Sequence, residues 1–191
     1  AGGRLPAREG VPSHSIDALL DRLRDRCGAD GADAGDGRDR RIKEEARALR
    51  ACASGAGLRV VELSQTYEEF LGENRNELLS GTEHLVEVLA GESRFGKVTV
   101  PPGFGLVPFV NKLRTSSVDP AMPDLVRRSL EFREATVFEY LVRCRTANEL
   151  FGDDIVIESV IVWRDGRVSL AISQPQYHGE PAGMRDIERY F

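Results

Sequence analysis

The chain has 191 residues, of which 41% are apolar and 30% charged, enough for one domain with a real core and ordinary for a soluble globular fold. A net charge of -5 gives a nucleic-acid partner no global electrostatic support. Three cysteines without C-x-x-C spacing exclude a disulfide framework, no run approaches the ~18 apolar residues of a membrane helix, and the chain reads as cytoplasmic. In chain order, Ala1 to Ser13 is rich in Gly, Arg and Pro and reads as flexible. Ser15 to Cys27 is a short amphipathic helix with Ile16, Leu19, Leu20 and Leu23 on one side. Gly28 to Gly37 reads as a linker. Its aspartates (Asp30, Asp33, Asp36) do not make a calcium loop, because position twelve of a loop starting at Asp30 is Arg41 and not Glu.

The spacing predicts a second helix over Arg38 to Ser54, with Ile42, Ala46, Leu49 and Ala53 as its buried stripe. Leu58 to Leu63 is a short strand, and Tyr67 to Leu79 is helical or irregular. Alternation marks strands over Gly81 to Leu89 and Arg94 to Val100, the second ended by Pro101-Pro102-Gly103. Phe104 to Ser117 reads as loop, Asp119 to Asp124 is punctuated by prolines, and Leu125 to Arg133 is predicted helical.

The strongest helical signal follows. Thr136 with Glu139 three residues later is a capping-box start, and Gly152 is the stop. Val137, Tyr140, Leu141, Cys144, Ala147 and Phe151 form its apolar stripe. Asp153-Asp154 opens a strand from Ile155 to Trp163, Arg164-Asp165-Gly166 turns it, and Arg167 to Ser173 returns, ended at Gln174-Pro175. This order predicts an α+β fold: an antiparallel sheet with helices mainly on one side. The start on Ala1 and the finish on Tyr190-Phe191 read as a piece of a longer protein.

Several residues have two readings. Lys97 is an exposed strand lysine or a cation for phosphate. Glu139 is the cap acid, free to pair on the surface with Arg143, or the partner of a catalytic cation. His84 and His178 read as hydrogen-bonded loop or strand histidines, and Asp153-Asp154 as a turn rather than a metal pair.

A strand opened by Gly81-Thr82-Glu83-His84, a strand carrying Lys97, a helix carrying Glu139, and two strands ending at Gln174-Pro175 resemble the small lobe of a protein kinase. Four stretches are closer still to one family: Lys97-Val-Thr-Val-Pro-Pro-Gly-Phe-Gly105, Glu139-Tyr-Leu141, Asn148-Glu-Leu-Phe-Gly-Asp-Asp-Ile155 and Ser173-Gln-Pro-Gln-Tyr-His-Gly-Glu-Pro-Ala182. They resemble the kinase domain of phage and plasmid polyvalent proteins, over roughly residues 40 to 191. Residues 1 to 39 lie outside it as a flexible segment with a short helix.

The resemblance implies a protein-kinase-like small lobe that binds ATP. Lys97 would hold the α- and β-phosphates, with Glu139, or Glu149 in its place, as partner. Gly81, Thr82, Glu83 and His84 would lie over the phosphates, although the stretch lacks G-x-G-x-x-G. Pro102-Gly103-Phe104-Gly105 is a second glycine-rich candidate. Main-chain groups around Ser173, Gln174 and Gln176 would meet the adenine edge. No H-R-D or D-F-G segment is present, so the base and the Mg²⁺ ligands of phosphoryl transfer are missing, and Mg²⁺ is expected only with a large lobe. The expected partner is a nucleotide, the phosphate acceptor being unknown (a protein or a small molecule). The alternative is a kinase-derived module kept for protein contacts without chemistry.

Overall fold

The computed structural model describes residues 15–28, 36–76, 78–88, 93–110 and 130–177. The expectations for residues 1–13, most of the 28–37 linker, 111–129, His178 and the Tyr190-Phe191 finish fall largely or wholly outside them.

Two helices come first, α1 (Ser15–Cys27) and α2 (Asp36–Cys52), followed by a 3-10 turn at Ser54–Ala56 and strand β1 (Arg59–Glu62). Helix α3 (Tyr67–Asn74) is short and carries its own capping box, Thr66 with Glu69. Strands β2 (Leu79–Ser80), β3 (His84–Val88) and β4 (Arg94–Thr99) form an antiparallel meander. A separate ribbon pairs β5 (Leu106–Val110) with β6 (Leu130–Glu134). Helix α4 (Val137–Phe151) and the hairpin of β7 (Val156–Val162) and β8 (Val168–Pro175) complete the described chain.

The fold is α+β, with the six-stranded sheet ordered β1-β7-β8-β4-β3-β2. It is mixed and not wholly antiparallel as expected, because β1 runs parallel to β7. The span Leu125 to Arg133, expected to be helical, ends in strand β6. Leu130, Phe132 and Glu134 alternate with Glu131 and Arg133, a period of two that suits the ladder with β5. By the same pairing, part of the stretch read as loop from Phe104 is strand β5.

Side-chain alternation sends two sets of residues to opposite faces of the sheet. On one face Ile157, Val160, Val168, Leu170 and Ile172 pack with α1, α2 and α4. Ile16, Leu19, Leu20 and Leu23 of α1 are buried in this same core, so the helix assigned to a flexible segment is part of the domain. Burying each such leucine contributes roughly 1.5–3 kcal/mol. On the other face Leu85, Val98, Ile161 and Ala171 pack under α3, where Tyr67 and Phe70 flank the Trp163 ring at centroid distances of 5.5 and 5.6 Å.

Helix α4 forms as the sequence dictates. Thr136 Oγ1 accepts from the Glu139 N–H, the Glu139 carboxylate accepts from the Thr136 N–H, and Gly152 closes the helix at φ 66°. Val137, Tyr140, Leu141 and Cys144 are buried. Phe151 is not: it is 77% exposed, because the last turn faces an open groove and not the sheet.

Candidate functional site

Lys97 stands in the middle of the sheet on β4, opposite Ile172 of β8. Because Ile172 faces the α4 core, Lys97 faces it too. Its ammonium is half-buried and donates to Oε1 of Gln174 at 2.6 Å. Burial pushes its pKa below the ordinary lysine value, opposed by the charge of Asp153. Among the described residues Lys97 forms no ion pair with a carboxylate.

The helix acids expected to serve it are engaged elsewhere. Glu139 belongs to the N-cap of α4 and is bound by Arg38 of α2 and by Arg133 of β6. Arg38 also donates to the carbonyl of Glu134, so it ties α2 to both sides of the turn before α4. Glu149 sits one helical turn from Arg145 on an exposed face. The lysine–glutamate pair implied by the resemblance is therefore absent here. The physical reason is helical phase, since the α4 residues facing the sheet are Tyr140, Leu141 and Cys144, and Glu139 is not on that stripe. The predicted surface pair of Glu139 with Arg143 is not formed either.

Arg143 turns toward Gly81–His84 instead. Its Nη2 lies 2.9 Å from Oε2 of Glu83, and its Nη1 donates to Oε1 at 3.3 Å and to the Leu106 carbonyl at 2.7 Å. Oε1 of Glu83 also accepts from the Leu106 N–H at 2.9 Å. Burial alone would raise the Glu83 pKa, but the bonds from Arg143 and the Leu106 N–H hold it below the ordinary range. Gly105 makes this approach possible. At φ +87°, a Cβ there would lie 2.8 Å from Arg143 Nη2 and 3.1 Å from Glu83 Oε2. The two glycine-rich candidates, 81–84 and 102–105, thus meet at one ion pair with α4.

His84 points inward, with Nε2 2.9 Å from the Tyr140 hydroxyl and Nδ1 3.9 Å from Glu83. Burial holds its pKa at about 4, with Lys97 and Arg143 adding to the effect and Glu83 opposing it. Gly81 and Thr82 are exposed in the turn that leads into β3.

At the far end of β8, Ser173 lies between Gly96 of β4 and Val156 of β7, so neighbouring strands occupy both its main-chain edges. Its hydroxyl accepts from Arg94 Nε and donates to Glu158 Oε1. The pairing with β7 ends at Val156 and Ser173, so among the described residues no strand lies on that side of Gln174 and Pro175. Gln176 is tied back by its N–H to the Ser93 carbonyl at 2.8 Å. The Tyr177 hydroxyl donates to Asp153 Oδ1 at 2.8 Å, which brings the exit of β8 to the end of α4.

The site is therefore Lys97 and Gln174 at its centre, Asp153 and Tyr177 on one flank, and Glu83, Arg143, His84 and Tyr140 on the other. Reading the sequence missed the Gln174 side chain as the lysine's partner, the pairing of Arg143 with Glu83, and Arg38 as the partner of Glu139. No spacing rule links Glu83 to a residue 60 positions away. Beside the site, and sharing Arg143 with it, an open groove of about 530 Å³ runs between α4 and β5, walled by Val107, Pro108, Phe138, Val142, Ala147 and Phe151. Among the described residues no cluster of His, Cys, Asp and Glu is placed to hold a metal, and no helix is long and apolar enough to cross a membrane. Comparison with protein-family models, with curated proteins and with solved structures finds no match.

Proposed function

We propose that this chain is a kinase-like small lobe that binds the phosphates of a nucleotide, ATP by the sequence resemblance, at Lys97, without the residues for phosphoryl transfer. One observation carries the reading: a half-buried ammonium, in the middle of a rigid sheet, whose hydrogen-bond partner is the neutral amide of Gln174. A cation hydrogen-bonded to a neutral amide, and not to a carboxylate, is left available to an incoming anion. The connectivity supports it as well. Lys97 lies on the third strand of a meander, α4 follows, and β8 lies beside the lysine strand before the chain exits. The engagement of Glu139 by Arg38 departs from the family pattern and leaves Gln174 as the group that orients Lys97.

The test is titration of the protein with ATP, followed by calorimetry, for wild type and Lys97→Ala. Loss of a charge-assisted contact, typically about 1.5–3 kcal/mol, predicts roughly a ten- to hundredfold weaker affinity in the variant. Equal affinities, or no binding by wild type, sink the reading. ATP turnover that disappears in Lys97→Ala overturns the claim that no phosphoryl transfer occurs.

A second reading, a kinase-derived module for protein contacts, has one observation in its favour: the apolar groove along α4, with Leu150 and Phe151 exposed beside it. Substituting Ala147→Gln, an uncharged change on the groove wall, abolishes partner binding if that reading is right and leaves ATP affinity unchanged.

A further inference from the structure

The turn beside the proposed phosphate site carries an acid, Glu83, where an anion is expected to approach. A free carboxylate there repels a polyphosphate, and its charge acts on Lys97 together with those of Asp153 and Arg143. The fold answers with a guanidinium placed from the neighbouring helix. Both Glu83 oxygens face Arg143, at 2.9 and 3.3 Å, and the Leu106 N–H takes a further share of Oε1. The backbone at Gly105 runs so close that an added Cβ would lie 2.8 Å from Arg143 Nη2, and its φ of +87° favours glycine in any case. Arg143 also donates to the Leu106 carbonyl, so its position is fixed from two sides.

We infer that Arg143 is a positioning residue of the Lys97 site that neutralises Glu83, so that the Gly81–His84 turn accepts a polyphosphate beside Lys97. The inference rests on the nucleotide reading above and adds to it a source of selectivity. The pair matters in proportion to ligand charge, and little for an uncharged nucleoside. Arg143 does not touch the ligand; it acts through Glu83. Glu83 in turn serves to anchor the turn to Leu106, and that anchoring is what requires its charge to be cancelled.

The experiment measures dissociation constants for adenosine, AMP, ADP and ATP with wild type, Glu83→Gln, Arg143→Met and the Glu83→Gln/Arg143→Met double variant. Melting temperature and exchange of the Leu106 amide serve as checks on the fold. Arg143→Met exposes the Glu83 charge and weakens ATP about tenfold, ADP less, and adenosine less than about twofold. The double variant removes both charges and regains ATP affinity to within about threefold of wild type. Should Arg143→Met fail to fold, Glu83→Gln carries the same test, since it leaves a net positive charge and tightens ATP several-fold relative to adenosine.

A double variant as weak as Arg143→Met overturns the inference, because Arg143 then contacts the ligand itself. Equal losses for adenosine and ATP overturn it as well, because the pair then only holds the fold. Both outcomes leave wild-type ATP binding at Lys97 intact. Absence of any nucleotide binding by wild type removes the underlying reading and the inference with it.

Discussion

Replacing His84 with glutamine is expected to flatten the acid side of the stability curve. The imidazole lies under the Gly81–His84 turn against the Tyr140 hydroxyl, and burial holds its pKa at about 4, against 6.5 for an exposed histidine. Between those values the unfolded chain binds a proton that the native protein refuses. Native stability is therefore complete above pH 6.5, falls as the pH drops toward 4, and loses nothing further from this group below that. At about 1.4 kcal/mol per pH unit, the window costs roughly 3 kcal/mol. Glutamine keeps an acceptor or donor for Tyr140 and does not titrate, so the variant retains that stability in acid. The assay is urea denaturation at about pH 7.5 and pH 4.5, comparing the wild-type loss with the variant's, where a difference of about 2–3 kcal/mol is expected. Carboxylates titrate in both proteins and cancel to first order in the comparison. Identical losses, or a His84 imidazole resonance that titrates near pH 6.5, refute the reasoning.

Two further predictions concern the fold. Leu19→Ala in α1 removes a fully buried side chain from the core shared with α4 and is expected to cost about 2–5 kcal/mol by denaturant unfolding. A loss under about 0.5 kcal/mol means that α1 is not part of the cooperative unit. Gly105→Ala places a methyl 2.8 Å from Arg143 Nη2 at a backbone φ of +87°. It is expected to lower stability by about 1–3 kcal/mol and to speed exchange of the Leu106 amide. Unchanged exchange counts against the close approach.

Much of the architecture is legible because local rules set it. The capping box at Thr136, the Gly152 stop, and the Asp165-Gly166 turn each act within a few residues. Alternation likewise places β3 and β4 within three residues of their expected limits. What stays hidden is long-range. The parallel pairing of β1 with β7, which makes the sheet mixed, carries no mark in Arg59–Glu62 itself. The helical expectation fails at residues 130–133 because β5, a partner read as loop, makes a strand of Leu130–Glu134. The candidate site divides in the same way. Lys97 and the 81–84 turn are visible as residue types on a strand and beside one, whereas the helix acid that balances the lysine in the family pattern is diverted by Arg38 at the start of α2, 101 positions away in the chain. Phe151 follows the stripe by period but falls on the final turn, where there is no sheet to cover it.

The parallel pairing of β1 also shapes how the protein is made. Glu62 leaves the ribosome about a hundred residues before its partner Val162, a gap on the order of 5–20 s at cellular elongation rates. During that interval α1, α2 and β1 have no hairpin on which to close, and their apolar faces stay in water. Chaperone capture of nascent chains is therefore expected to concentrate on the first sixty or so residues and to end once β8 has emerged.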